Sequence, residues 1–322
     1  MDKGRYTKGL HDLGRGCWAW LQPDGGWGWS NAGLITDSGQ SLLVDTLFDL
    51  RLTAEMLDAM RSTVPAARSI GTLVNTHANG DHCYGNQLLA GARIVASRAS
   101  ATEMDELPPE ALAGFKDNAA KLGPAGEYFA RVFAPFEFHG IRHTPPTETF
   151  DRELTLRVGD KDVVLFEVGP AHTRGDILVW VPRERVLYTG DILFIGGTPI
   201  LWQGPIGNWI AACERIERLQ PEVIVPGHGP LTDVKGALAV RDYLVHVRDR
   251  ARECFDAGLS PVEAARTVPL GEFAAWGEAE RIAVNVHTLY REWSGGKQGT
   301  ANPLQLFGLM GELERAGARR GG

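Results

Sequence analysis

The chain has 322 residues, 43% apolar and 23% charged, with a net charge of −7. That length buries a substantial core in one large domain, or one domain with an appendage, and an acidic balance without a dense basic run excludes a nucleic-acid-binding surface. No run reaches the roughly 18 apolar residues of a membrane span, and no stretch of signal-peptide length follows the charged start. The four cysteines, Cys17, Cys83, Cys213 and Cys254, are scattered without a C-x-x-C pair, so the chain reads as cytoplasmic with free thiols.

Strand patterns begin at Cys17. CWAWLQ and SNAGLIT flank the turn-rich PDGGWGW, and SLLVDTL follows after DSGQ. Thr53 to Met60 is helical by spacing, TLVNTH is a short buried strand broken at Asn79-Gly80, and ARIVAS follows a helix expected to begin near Asn86. From about Ala99 to Pro135 alternation vanishes, which predicts two helices around Gly123-Pro124. ETFDRELTLRVG then reads as one strand, hairpinned to DVVLFEVG through Gly159-Asp160-Lys161-Asp162, with DILVWVP and VLYTGDILF as further strands. Trp209 to Leu219 is a helix and VIVPGHG a strand ending in a Gly-bracketed loop. Beyond about Val234 strands stop; a long helix ends near Gly258, Ser260 caps another with Pro261 at its first position, and the tail ERAGARRGG is expected to fray.

Four of these strand ends carry chemistry. Thr76-His77-Ala78-Asn79-Gly80-Asp81-His82 places two histidines, an aspartate and an asparagine directly after a short apolar strand. A turn there can aim several side chains into one pocket while the strand holds the backbone, and imidazole with carboxylate suits zinc or iron. A lone histidine is more often an ordinary core or surface residue, but three further loops repeat the pattern. His172 lies in GPAHTRGD, Asp191 in YTGD and His228 in PGHG, each just past an apolar strand and beside glycine, which permits a tight loop around an ion.

The ordered set TH-x-x-x-DH, G-x-x-HT-x-GD, TGD and PGHG resembles the metallo-β-lactamase superfamily, from about Asn31 to Gly229. The resemblance implies an α/β fold, the αβ/βα four-layer sandwich, over residues 1–234 with a helical insertion at about 99–135. Residues 235–322 would form a C-terminal helical extension packed on the core. It also implies a site at the sheet edge with up to two metals: His77 and His172 in a first pocket, Asp81, His82 and His228 in a second, and Asp191 bridging both. Zinc, as one or two ions, is the expected cofactor and iron the alternative. One departure stands out: the family usually reads H-x-H-x-D-H, and this chain has Asn79 at the second histidine. Three outcomes are open. One metal sits mainly on Asp81, His82, Asp191 and His228; two metals bind with Asn79 or water completing the first shell; or the site is too weak to work. Asn79 is equally a candidate for a hydrogen bond to substrate.

The implied activity is hydrolysis of a small acyl substrate (ester, thioester, lactone or amide) by metal-activated water, with Asp81 orienting the water or accepting its proton. Trp27 and Trp29 at the tip of the first hairpin, Trp202 in ILWQGP, and His143 (or its neighbour His139) are candidate substrate contacts. An iron-dependent oxygenase or redox enzyme on the same fold, and a non-catalytic binding protein with a degenerate metal site, are the competing readings. The chain lacks a G-x-S-x-G elbow, a P-loop and a G-x-G-x-x-G turn, which removes serine hydrolases, NTPases and Rossmann enzymes. The expected partner is a small molecule, with no nucleic acid and no membrane; a homodimer through the C-terminal helices is slightly favoured.

Overall fold

The computed structural model describes residues 6–297, 299 and 302–318. Its first sheet holds β1 (Gly9–Gly14), β2 (Cys17–Leu21), β3 (Ala32–Asp37), β4 (Gln40–Val44), β5 (Thr72–Val74), β6 (Arg93–Ser97) and β7 (Glu148–Phe150), in that spatial order. The second runs β12 (Val223–Val225), β11 (Val186–Tyr188), β10 (Ile177–Val181), β9 (Lys161–Glu167) and β8 (Glu153–Val158). Strand alternation explains why the sheets stack. In β10, Ile177, Val179 and Val181 join the apolar layer between the sheets, while Leu178 and Trp180 face the helices outside. In β4, Leu42 and Val44 enter that same middle layer and Leu43 the opposite outer one. Two sheets, each apolar on both faces, require helices on both outer sides, and the chain is an α/β sandwich of four layers.

Helix α1 (Leu50–Thr63) covers the first sheet. Asp49 caps it by accepting from the Leu52 amide, and Leu52, Met56, Leu57 and Met60 fall on one buried stripe. The one-turn α2 (Gly80–Cys83) carries part of the site. Helices α3 (Arg98–Met104), α4 (Pro109–Asp117) and α5 (Gly123–Val132) form the insertion. On the second sheet lie α6 (Ile206–Leu219), α7 (Val234–Asp256), α8 (Pro261–Thr267), α9 (Ile282–Trp293) and α10 (Pro303–Ala318). The buried stripe of α7 runs through Ala237, Val240, Leu244, Val247 and Ala251, and α8 starts with a full capping box between Ser260 and Glu263. Helix α10 crosses back to α5, where the Phe307 ring lies 5.6 Å from Phe129 and Arg131 pairs with Glu314.

Several expected elements change. A first strand, β1, precedes Cys17 and pairs with β2; its GLHDLG sequence has no alternation strong enough to announce it. ETFDRELTLRVG is two strands in different sheets, because Arg152 adopts a left-handed backbone (φ 67) that turns the chain from one sheet to the other. The insertion has three helices rather than two, and Gly123 opens α5 instead of separating helices. The helix expected near Asn86 is a run of 3₁₀ turns, since the Asn86 amide bonds Asn75 and Thr46. In the tail, Glu314 to Ala318 belong to α10, and residues 319–322 lie outside the described residues. Beyond β12 no further strand occurs among the described residues, and none of their helices is long and apolar enough to cross a membrane. All four cysteines are unpaired.

Candidate metal centre

Five loops meet where strands β4, β5, β9, β11 and β12 end. Glycine makes their approach close enough. A Cβ at Gly227 would stand 2.1 Å from Asp191 Oδ1, and one at Gly190 (φ +48) would stand 2.3 Å from Thr76 Oγ1. Asn31 laces the His228 loop to β3 by donating to the carbonyls of Pro226 and Gly229. The result brings His77, Asp81, His82, His172, Asp191 and His228 together.

The imidazoles share one orientation logic. His82 Nδ1 sits 2.9 Å from Asp45 Oδ2, His77 Nδ1 3.0 Å from Thr76 Oγ1, His172 Nδ1 2.7 Å from the Ile200 carbonyl, and His228 Nδ1 3.1 Å from the Gly25 carbonyl. Each Nε2 is thereby turned inward on Asp191. His82 Nε2 is 3.0 Å from Oδ1, and the Nε2 atoms of His172, His228 and His77 lie 3.3, 3.5 and 3.7 Å from Oδ2. Asp81 Oδ2 approaches His228 Nε2 at 3.3 Å and His82 Nε2 at 3.8 Å. Asp81 is also the least buried of the set, with 13% of its side chain exposed.

The donors form two overlapping groups, His77–His82–Asp191 and Asp81–His82–His228, with donor atoms all within 4.8 Å of one another. His82 therefore belongs to both, whereas the resemblance implied a place in the second pocket alone. Its Nδ1 tether to Asp45 leaves Nε2 between the two carboxylates. Asn79 Oδ1 lies 2.7 Å from His172 Nε2. Asp45 and Thr76 are working parts that sequence reasoning passed over. Asp45 takes a left-handed backbone (φ 63) just after β4 and accepts from the Thr76 amide and hydroxyl as well as facing His82. An aspartate closing the apolar run SLLVD was the available signal.

The electrostatics divide the histidines. Burial works against a charged His82, yet Asp191, Asp81 and Asp45 push it well above the ordinary value. His228 is likewise raised to about 9, burial being outweighed by Asp191 and Asp81. His77 falls well below, through burial first and then the neighbouring His82. Asp191 is held well below the carboxylate range because His228, His82 and His77 overcome its burial.

A cavity of about 480 Å³ opens from this cluster. Trp27 and Trp202 line it, as expected. Two other expected substrate contacts lie elsewhere. Trp29 is not in the lining and packs on Phe136 at 4.9 Å, because the glycine-rich loop turns it toward the α1 side. His143 is also outside, its Nε2 2.8 Å from Asp105, and His139 pairs with Asp117 at the surface.

The sequence matches the metallo-beta-lactamase superfamily over residues 25–228, well over half of the chain. The chain belongs to the metallo-β-lactamase superfamily. The superfamily match together with a thioesterase relative supports a hydrolase. Among relatives, the human acyl-coenzyme A thioesterase MBLAC2 is 25% identical over 214 residues, covering 62% of this chain and 72% of the relative. A beta-lactamase-like protein 2 homolog from Caenorhabditis elegans is 32% identical over 225 residues, covering 70% of this chain and 63% of that protein. Solved structures share the fold. The inverting sec-alkylsulfatase Pisa1 from Pseudomonas sp. superposes with a TM-score of 0.64 at 17% identity over 93% of this chain, which spans only 52% of the sulfatase's length. A metallo-beta-lactamase from Pontibacter korlensis gives 0.56 at 18% identity, covering 74% of this chain and 99% of that one.

The donor set fits a metal ion. His77 Nε2, His82 Nε2 and Asp191 Oδ1 are buried without a hydrogen-bond partner. Three such atoms so close together are costly unless something charged satisfies them.

Proposed function

We propose that the chain is a metal-dependent hydrolase acting on a small acyl substrate, an ester, thioester, lactone or amide. One observation carries this reading: four Nε2 atoms converge on one buried carboxylate while every Nδ1 is already committed to a neighbouring group. That is how a protein presents neutral imidazoles to a metal. His77, His82, His172, His228, Asp81 and Asp191 would hold one or two zinc ions. Such an ion supplies Lewis acidity, bringing the pKa of water to about 7 and polarising a carbonyl. The human relative's name, an acyl-coenzyme A thioesterase, supports a carbonyl centre.

The chain's own residues then have defined tasks. Asp81, exposed at the cavity floor, orients the attacking water and accepts its proton at the carboxylate. The water oxygen bonds the carbonyl carbon, the bond to the leaving alcohol, thiol or amine breaks, and the leaving group takes up a proton. Asp45 and Thr76 keep His82 and His77 in register. Asn79 holds the His172 edge, where it is also within the cavity lining.

The test is metal analysis of protein purified without added zinc, followed by assay of ester and thioester hydrolysis before and after chelation. Zinc content with activity lost on chelation and restored by zinc is the expected result. Iron content with oxygen consumption, or no ion and no turnover, overturns the proposal.

A further inference from the structure

The insertion and the C-terminal helix bring a cluster of aromatic rings to one place. Phe129 and Phe133 lie four apart on one face of α5, and the Phe115 ring sits tilted against Phe129 at 4.9 Å. Phe307 of α10 reaches the same place, 6.4 Å from Phe133 and 6.1 Å from Trp27. Instead of closing on one another completely, these rings wall the cavity of about 480 Å³ that ends at Asp81, Asp191 and His228. That size is within the range of small-molecule sites, about 300–1,000 Å³.

The cavity is polarised along its length. The ligand carboxylates and imidazoles form one end, and Arg281 belongs to that end too. Its guanidinium lies 4.4 Å from the Trp27 ring and 5.3 Å from Phe194, whose ring stacks on His228 at 5.0 Å. Arg281 is 1% exposed; Nη1 donates to the Thr198 carbonyl, Glu278 stands 3.8 Å away, and Nε has no partner. Leu107, Leu112, Phe115, Phe129, Phe133 and Phe307 supply most of the remaining wall, and the one further charged group in the lining, Glu103, accepts from the Arg174 amide. Water there would find few polar partners.

We infer that this chamber receives the apolar part of the substrate, so that the enzyme prefers acyl groups bearing a medium-length aliphatic chain or an aryl group over short ones. The reading rests on the proposed acyl hydrolysis and adds its substrate class. The carbonyl lies at the Asp81 end and the chain runs toward Phe115 and Phe307. The acid released on hydrolysis is an anion, and the buried Arg281 guanidinium places positive charge at that end of the cavity.

The experiment uses the zinc-loaded full chain and p-nitrophenyl acetate, butyrate, hexanoate, octanoate and decanoate. In parallel, calorimetric titration measures octanoate binding, which needs no turnover. Each added methylene is expected to raise kcat/KM about fourfold until the chamber is filled. Leu112→Trp, which occupies the apolar end, is expected to lower the decanoate-to-acetate ratio about tenfold and to weaken octanoate, while Phe307→Ala moves the optimum to longer chains. A flat or falling dependence on length, with no octanoate binding, overturns the inference. Octanoate binding that weakens in Leu112→Trp, with none of the esters hydrolysed, keeps the chamber and removes the hydrolytic reading. Neither binding nor turnover removes both.

Discussion

The two sides of the candidate metal centre are built by the same device and share His82, and the amide Asn79 stands on one of them. On the Asp81–His82–His228 side, Nδ1 tethers to Asp45 and to the Gly25 carbonyl leave both Nε2 atoms facing carboxylates. On the His77–His172 side, the residue between the imidazoles is Asn79, and its Oδ1 lies 2.7 Å from His172 Nε2. The amide therefore costs this side twice. It is itself a weak neutral ligand, and its Oδ1, which can only accept, draws a proton on His172 Nε2, the nitrogen that a metal would need free. Acidic charge also concentrates on the other side, where His82 and His228 are raised and His77 is not. Replacing one donor changes what its neighbour can offer, so affinity for a metal does not simply scale with the number of ligands left.

The largest expected effect comes from Asp191, which faces all four imidazoles. Asp191→Asn should lower kcat/KM on the order of a thousand-fold, corresponding to the several kcal/mol of stabilisation that a metal ion supplies, and should abolish tight zinc in elemental analysis. Retained zinc and activity would mean that the two sides do not share this carboxylate. Next is Asp45→Asn, which should weaken zinc affinity about 10- to 100-fold in competition with a chelator. Thr76→Val, which removes a hydroxyl that faces His77 and also donates to Asp45, should cost less than Asp45→Asn; a larger cost would contradict this ranking.

Asn79→His sharpens the comparison directly. It should raise zinc from about one toward two ions per chain, since a third imidazole completes the weaker side and releases His172. An unchanged ion count would show that Asn79 is not what separates the halves.

The smallest effect is a pH dependence of the metal-free protein. His228 is raised to about 9 from 6.5, so its charge stabilises the fold fully below 6.5, and that contribution is lost as pH rises toward 9. The metal-free Tm should fall by roughly a few degrees across that window, with His228→Gln flattening part of the slope. Zinc affinity should rise over the same window, because the ion competes with the protons on His82 and His228. A metal-free Tm that climbs with pH would contradict this assignment of charge.

Much of the converging set was legible in the chain because its members follow apolar strands and Asp81, Asp191 and His228 sit directly beside glycine, a local pattern that needs no neighbour to be seen. Asp45 ended the same kind of run and was passed over, since a single carboxylate has no motif until its imidazole partner, 37 residues away, is placed against it. Trp29 and Trp27 read alike, two residues apart in one loop, but only the backbone path of that loop decides which ring enters the cavity. His143 had the chemistry of a substrate contact, and Asp105 claims it.

Local chemistry in the sequence was thus enough to determine which side chains converge, the strand ends that present them, and the alternating apolar pattern that forces two sheets to stack between helices. Tertiary structure alone decided that ETF and ELTLRV enter different sheets, that His82 stands between two carboxylates, and that Phe129 and Phe307, while packing in an apolar layer, also wall a cavity. The reason is physical. Periodicity reports which face of an element avoids water, but whether the opposing surface is another side chain or an open chamber depends on residues hundreds of positions away.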